Sequence, residues 1–449
     1  LHKRVKERAP AVEECLHQLN ENKLQDCLKD LHPADIAEAL PRVPLAQRVR
    51  VMRAAGPEKA ALILYELDRD MIPPLLEALG PKRLAEVLND MSDDDAADIL
   101  GELPENQKDQ LLNLMEDAEA NDVRELLKYG KNTAGGIMTT EYVSLKEDIT
   151  VARAIDHLRQ VGSEVETIYY VYSINENAEL TGVISLRELI MAPPDARLEQ
   201  VVTRRVVSAN VWDDQEKVAR MVAKYDIIAI PVVNDHNQLL GIVTVDDVLD
   251  VLEEEATEDI LKLANLDVGG QDLVETGPWQ RAFRRLPWLV GLLFGGLIAG
   301  NVIKGFSGTL EQVTALAFFI TAMAGGPGNA ATQSLALVVR GLATGEVNQR
   351  RLLKTIFKEA QVGAIVGIVS GAVLALVAVL WQGNTSLGLV VGLALAINIT
   401  ISTMLGSFFP VIIQRLGADP AVASGPFIST LMDVTSMFVY FSLATWLLL

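Results

Sequence analysis

The chain changes character once, near Gln271. Before that point no apolar run reaches membrane length; after it five do, near 286–303, 312–339, 359–381, 386–413 and 421–448. About 20 apolar residues in a helix span a bilayer. The C-terminal part is therefore expected to form five transmembrane helices, and the N-terminal part to be soluble with no cleavable signal ahead of it. Charge divides at the same place, with 29 Lys/Arg against 52 Asp/Glu before Gln271 and 10 against 7 after it, within a net charge of −20. A part that acidic attracts cations, and nucleic acid is not an expected partner. The division also explains how a mean hydropathy of +0.24 coexists with 22% charged residues.

Basic residues flank the apolar segments unevenly. Arg281, Arg284 and Arg285 precede the first, Arg340, Arg350, Arg351, Lys354 and Lys358 lie between the second and third, and Arg415 lies between the fourth and fifth. By the positive-inside rule this places the N-terminal domains in the cytoplasm and the C-terminus outside, in a multi-pass protein of the cell's inner (plasma) membrane. Between Pro420 and Leu449 the one charged residue is Asp433. A carboxylate at the centre of a spanning helix costs about 2.5–3.5 kcal/mol on insertion scales, so something must offset it. The segment "AGGPGNAATQS" (324–334) carries Gly-Gly-Pro-Gly. It is expected to break a helix in mid-membrane, which survives only where backbone is buried or lines a wet cavity. Asn329, Thr332, Gln333 and the freed carbonyls would line that cavity; the alternative is an unbroken helix with a proline kink.

Residues 31–115 repeat every twelve, in frames opening at 31, 43, 55, 67, 79, 91 and 103. Each frame starts with an apolar residue and a turn or cap residue, then an apolar pair at helical spacing. Helices that short bury their apolar stripe by stacking, so a superhelical α-domain is expected over 1–130.

Over 131–250 short β-branched runs alternate with helices, and the pattern is duplicated at an offset of 59. Asn175 falls on Asn234, Leu180 on Leu239, Gly182 on Gly241 and Ile184 on Val243. Each copy reads as strand, polar turn, strand ending in Gly, then helix. These residues resemble a tandem pair of CBS modules, an α/β unit that often binds adenine nucleotides. The resemblance implies a nucleotide motif complete in the second copy (Gly241, Thr244, Asp247), whereas the first has Gly182 and Ser185 with Glu188 in place of Asp. ATP or another adenine nucleotide is the cofactor so implied.

From Tyr225 to Leu261 there are ten acids and no Lys or Arg, densest in a connecting helix expected at 251–270. Asp247, Asp250, Glu254 and Glu258 share one helical face. Like charges at this spacing weaken a helix. Hard divalent cations such as Mg²⁺ or Ca²⁺ relieve that repulsion, and no His or Cys is present to favour zinc. Asp94 and Asp98 in "SDDDAAD" are expected to share cations with Asp247, Asp250 and Glu255, so that closure of the domains depends on divalent concentration. The five histidines are scattered, and Cys15 and Cys27 form no metal or redox pattern and suit a reduced cytoplasmic setting. No catalytic triad, metal ligand set or phosphate loop argues for an enzyme.

With "EATEDI" at 255–260, Gly-Asn-x-x-x-Gln at 328–333 and "DPAVASGPFISTLMDVT" at 419–435, nearly the whole chain resembles the MgtE family of magnesium transporters and channels. The resemblance implies a homodimer in membrane lipid with its pore on the twofold axis and Mg²⁺ at Asp433 beside backbone carbonyls of the Gly325–Gly328 segment. It implies that cytosolic Mg²⁺ binds Asp94, Asp98, Glu216, Asp226, Asp247, Asp250, Glu255, Glu258 and Asp259 and holds the channel shut. Pro327, Ala331 and Ser436 stand where the family commonly has glycine. The fold class expected is a multidomain membrane protein: superhelical α-domain, tandem CBS pair, acidic connecting helix and five-helix transmembrane domain (271–449). Rival readings are a secondary transporter of Co²⁺ or Mn²⁺ and a membrane-anchored nucleotide sensor.

Overall fold

The computed structural model describes residues 12–18, 20–67, 71–162, 165–264, 277–343, 347, 352–416, 419–423 and 425–449. Arg350, Arg351 and the 265–270 end of the expected connecting helix lie outside them. Two compact units result, Leu1–Glu254 and Glu255–Leu449.

The first unit opens with short helices: α1 (Glu21–Lys29), α2 (Pro33–Ala39), α3 (Leu45–Ala54), α4 (Pro57–Tyr65), α5 (Ile72–Leu79), α6 (Pro81–Asn89), α7 (Asp93–Gly101), α8 (Glu105–Leu112) and α9 (Asp117–Leu126). Starts at 33, 45, 57, 81, 93, 105 and 117 keep the twelve-residue period. Pro33, Pro57 and Pro81 each occupy a first helical position, where the missing N–H costs nothing. In the frame at 67 the described helix is Ile72–Leu79, and residues 68–70 lie outside the described residues. Helices pack on the next but one, α1 on α3, α2 on α4, α4 on α6 and α7 on α9, so the short helices stack as a helical domain. Leu24, Leu28, Ile36, Leu64, Leu75, Leu88 and Leu100 fill its core. Gly80 ends α5 and precedes α6 at φ +82°, a turn that strains any side chain.

Cys15 and Cys27 are joined in a disulfide, which corrects the expectation of two separate thiols. The chain doubles back between residue 16 and α1, bringing the two Cα atoms to 6.0 Å, within bridging range.

The duplication holds in three dimensions. Strands β1 (Ser144–Lys146), β2 (Tyr170–Ile174) and β3 (Leu180–Ser185) form one sheet; β4 (Ala209–Asn210), β5 (Ala229–Val233) and β6 (Leu239–Thr244) form another in the same order. In each, the first pair is parallel and the second antiparallel. Helices α10 (Val151–Val161) and α13 (Gln215–Tyr225) precede the β2 and β5 strands; α11 (Leu186–Met191) and α14 (Val245–Leu263) follow β3 and β6, with α12 (Leu198–Val201) between the copies. The turns at Ala178 and Asn237 both take positive φ and pair reciprocally: Leu180 N donates to Asn237 O and Leu239 N to Ala178 O. Gly182 and Gly241 sit third in their strands rather than ending them.

The second unit contains α15 (Pro278–Gly305), α16 (Ser307–Gln312), α17 (Ile320–Ala343), α18 (Leu352–Gln382), α19 (Thr385–Arg415) and α20 (Gly425–Leu448). Four of these, α15, α18, α19 and α20, are long and apolar enough to cross a membrane by length and composition. Helix α17 is long enough at 24 residues, but its polar centre keeps it out of that set, so the expected count of five is not reached on this criterion. Close backbone approach fixes α18 on α19: a Cβ on Gly371 would collide with the Gly392 carbonyl, and one on Gly392 would lie 2.5 Å from that of Gly371. Small residues serve this purpose in apolar helix pairs.

The expected break at 325–328 is absent. Helix α17 runs unbroken through Pro327. Proline deprives the Met323 carbonyl of its donor, yet packing on both sides holds the helix. A Cβ at Gly328 would touch Ser429 at 3.4 Å, and one at Gly406 would collide with the Ala331 carbonyl.

Gly241 tests the duplicated scaffold. A Cβ there would lie 2.6 Å from the Thr139 carbonyl, against 3.9 Å from Leu127 at Gly101. Gly241→Ala should lower the unfolding free energy of the first unit by about 1–3 kcal/mol in urea melts, while Gly101→Ala leaves the midpoint unchanged. An unshifted midpoint for Gly241→Ala would refute the contact.

Candidate functional site

In the first unit the stacked helices and the duplicated sheets bring acids from several segments together. Helix α7 carries Asp93, Asp94 and Asp95 in its first turn, where acids suit the helix dipole. Helix α9 carries Glu119 and Asp122, the loop before β1 carries Glu141, the loop before β2 carries Glu166, and the start of α14 carries Asp246 and Asp247. One carboxylate oxygen each from Asp93, Glu119 and Glu141 lies within 4.8 Å of the others; so do those of Glu166, Asp246 and Asp247. Among the described residues no Lys or Arg pairs with any of these acids.

The electrostatics follow from that crowding. Burial pushes Asp94 well above the ordinary carboxylate range, and Asp95 and Glu166 add to it. Burial raises Asp95 to about 7 despite the hydrogen bond donated by Ser92, with Asp247 adding repulsion. Glu141 is raised to about 7 by burial and then by Asp93 and Asp94. Glu166 is raised to about 7 by desolvation and then by Asp247. Asp247 reaches about 7 through burial and the charge of Asp94, although Thr244 donates a hydrogen bond to it. Asp94 Oδ1 is buried with no hydrogen-bond partner. Buried carboxylates of this kind are satisfied by protons or by a hard cation.

The expected set is only partly brought together. The charge of Asp94 reaches Asp247 and helps to raise it. Asp98 lies 3.7 Å from Lys131, and Asp250 accepts a hydrogen bond from the Tyr65 hydroxyl at 3.0 Å. Burial, and then the Asp250 charge, holds the Tyr65 hydroxyl well above its ordinary range. Glu216 pairs with Arg220, and Asp226 caps α13 in the left-handed conformation. Asp93, Glu119, Glu141 and Glu166 were not singled out from the sequence. Asp93 stood inside "SDDDAAD", but Glu141 and Glu166 sit in loops with no local signal.

The motif residues for a nucleotide have other tasks here. Glu188 closes a capping box with Ser185, whose side-chain and backbone donors hold it below its usual range. Gly241 makes room for the Thr139 carbonyl. A groove of about 720 Å³ beside β4 is lined instead by Val207, Lys217, Arg220 and Lys224. Its basic side chains suit phosphate oxygens; Lys217 and Arg220 are also each paired with an acid one turn back, Asp213 and Glu216.

In the second unit, Asp433 is half-buried on α20 and has no hydrogen bond or ion pair among the described residues. Helix α17 divides its candidate residues between two faces. Gly325, Asn329 and Gln333 are exposed in one stripe. Gly328 and Thr332 face α20, where the Thr332 hydroxyl donates to the Gly328 carbonyl at 3.0 Å and lies 3.4 Å from Ser429 Oγ. Towards the end of α14, Lys262 bonds Asp419 at 2.6 Å and also pairs with Glu258. Burial lowers the Lys262 ammonium, but those two carboxylates more than reverse it, and its affinity for the proton is raised. Asp259 is raised by burial and by Asp419. Glu255 lies half-buried on the same helix.

Comparison with known proteins supplies the context. The family model for the MgtE divalent cation transporters matches residues 320–443, that for the MgtE intracellular N domain residues 31–132, and that for the CBS domain residues 134–195 and 198–254. Magnesium transporter MgtE of Bacillus subtilis (strain 168) is 44% identical over 324 residues, 72% of this chain and 71% of that one. Its counterpart in Thermus thermophilus is 42% identical over 326 residues, 73% of this chain and 72% of that one. A crystal structure of the cytosolic domain of the Mg²⁺ channel MgtE in complex with ATP is 37% identical and superposes with a TM-score of 0.52, covering 54% of this chain and 99% of that one.

The raised acids predict a pH dependence. Protons bind them more tightly in the folded state, so the stability they contribute is complete below about pH 4 and is lost as pH rises through about 7. In EDTA the first unit should melt at lower temperature at pH 8 than at pH 5. Millimolar Mg²⁺ should restore the difference at pH 8 and do little at pH 5; equal Mg²⁺ shifts at both would contradict the account.

Proposed function

The chain belongs to the MgtE family, and we propose that it is a Mg²⁺ channel for magnesium uptake that closes when cytosolic Mg²⁺ fills its acidic chamber. The observation that carries the conducting half is Asp433: a half-buried, unpartnered carboxylate, the one acid of an apolar 24-residue helix. Mg²⁺ sheds water reluctantly and is held by one or two carboxylates through retained waters. One Asp433 from each of two copies meets that requirement, and paired acidic side chains select cations.

The stripe of Gly325, Asn329 and Gln333 supports a homodimer. Exposed to lipid, these amides would lie in hydrocarbon unsatisfied; against a second copy or a wet pore they are satisfied. On this reading α17 is the fifth span, tolerated because its polar face lines the pore. The basic flanks then orient the first unit to the cytoplasm and the C-terminus outside the plasma membrane. The Cys15–Cys27 bridge counts the other way, since disulfides are rare in reducing compartments. The orientation proposed rests on the basic flanks, which fall before the first span, between the second and third and between the fourth and fifth.

Regulation follows from repulsion. Without cations the acids of α7, Glu141, Glu166 and Asp247 repel, and the first unit favours an open arrangement. Mg²⁺ binding favours the compact one, and α14 is a continuous helix from Asp247 through Glu255, Glu258 and Asp259 to Lys262. A ligand shifts such an equilibrium only through differential affinity, so the closed state must bind more ions. Asp98, Glu216 and Asp250 supply further oxygen ligands once their present partners are displaced, and Asp226 supplies another. An adenine nucleotide such as ATP is assigned to the groove over Lys217, Arg220 and Lys224, because Asp247 is committed to the acidic chamber.

Asp433→Ala should abolish Mg²⁺ flux into liposomes while insertion and dimerisation persist; wild-type flux would sink the pore assignment. Raising Mg²⁺ on the cytosolic side should protect residues 257–275 from protease, and equal cleavage with and without Mg²⁺ would count against the switch.

A further inference from the structure

The polar side chains of α19 are satisfied in two different ways. The hydroxyls of Thr400, Thr403 and Ser407 donate to carbonyls of their own helix, at Ala396, Thr400 and Met404. Bonds of that kind satisfy a hydroxyl in apolar surroundings and involve no neighbouring helix. Asn398 reaches outward instead. It is 1% exposed, its Nδ2 donates to the Ser436 carbonyl of α20 at 3.2 Å, and the same nitrogen lies 4.0 Å from Met323 Sδ of α17. One turn further along, the Ser402 hydroxyl donates to Met432 Sδ at 3.1 Å. The two contacts meet α20 on either side of Asp433, one at the residue before it and one three residues after.

Asn398 is a poor choice for stability. Its Oδ1 is buried with no hydrogen-bond partner, which native interiors ordinarily avoid. The Ser436 carbonyl belongs to the continuous helix α20, whose own ladder already provides a donor. An apolar side chain at 398 would leave nothing unsatisfied. A buried amide of this kind fixes how one helix is set against another, as a single buried asparagine does in a coiled coil. Spans in lipid have little apolar drive between them, so specific contacts must set their rotation.

Rotation decides where Asp433 stands. Met432 and Ser436 belong to the buried stripe of α20 together with Ile428 and Tyr440, and each successive residue turns by about 100°. With Met432 and Ser436 held against α19, Asp433 falls on the line that begins one turn earlier at Ser429, where α20 meets Gly328 and Thr332 of α17.

We propose that Asn398, assisted by Ser402, is the positioning residue for the pore carboxylate: its amide pins the rotation of α20 against α19 and α17 and so sets where Asp433 meets a hydrated Mg²⁺. An ion held through retained waters is recognised by the placement of the carboxylate more than by direct ligation. The inference rests on the pore reading of Asp433 for its consequence, though not for the contacts themselves.

The test uses full-length protein in liposomes, with uptake measured against external Mg²⁺ and, separately, Ca²⁺. Asn398→Leu removes the amide at similar shape, and Asn398→Ala removes it without added bulk. Both should raise the half-saturating Mg²⁺ several-fold and lower the preference for Mg²⁺ over Ca²⁺ several-fold. Ile399→Val thins the packing one residue on and keeps the amide; it should lower the melting temperature in detergent and leave both flux parameters at wild type. A second readout does not depend on conduction. In a Cys15→Ala, Cys27→Ala background, the thiol introduced by Asp433→Cys should react with a charged methanethiosulfonate at a rate that Asn398→Leu and Asn398→Ala change several-fold and Ile399→Val does not. Wild-type half-saturation and preference in both Asn398 variants, or an unchanged thiol rate in both, would overturn the proposal. If the thiol rates change as stated but Asp433→Ala conducts like wild type, the pin stands and the pore reading fails.

Discussion

Repulsion among carboxylates that the protein itself does not neutralise is the constraint on which the first unit depends. Two ionised carboxylates less than 5 Å apart repel by on the order of 3–4 kcal/mol at the effective dielectric of a protein site. The two trios contain several such pairs. A domain's whole stability is about 5–15 kcal/mol, so the cluster cannot stay fully ionised and closed without protons or cations. The twelve-residue helices and the duplicated sheets are each well packed, and their leucine and valine cores do not involve these acids.

The second unit solves a different problem, that of packing helices where apolar burial gives little drive. It does so with glycines placed where backbones nearly touch, at Gly371, Gly392 and Gly406. The same packing explains Ala331, which is fully buried with its carbonyl against Gly406, so a small side chain is required there and a methyl is tolerated. It also explains how α17 stays helical through Pro327. The polar residues of α17 then need no broken backbone to be useful, because a helix can present Asn329 and Gln333 on one face and pack Thr332 on the other.

At the end of α14 the chain supplies its own cation. The Lys262 ammonium lies between Glu258 and Asp419, beside Asp259, and neutralises acids there with a charge belonging to the protein. The clustered acids of the first unit have no such internal counter-charge among the described ion pairs. Among the described residues, internal counter-charge is thus found at one end of the acidic stretch.

How much of this was legible in the residues follows from the range of the forces involved. The twelve-residue period, the offset of 59, the apolar segments after Gln271 and the isolation of Asp433 are local patterns. Backbone geometry turns such patterns into structure almost directly: a helix repeats every 3.6 residues and a strand every 2. Those features, and the family they point to, were determined by the sequence alone. The tertiary structure decided what depends on distant contacts. It chose which acids meet, bringing Glu119, Glu141 and Glu166 in from segments with no signature of their own, and gave Asp98 and Glu216 to basic partners. It kept α17 whole where Gly-Gly-Pro-Gly argued for a break, because packing energy from α19 and α20 outweighed a local propensity. It also joined Cys15 to Cys27, since spacing along the chain says nothing of where a reversal will bring two side chains together.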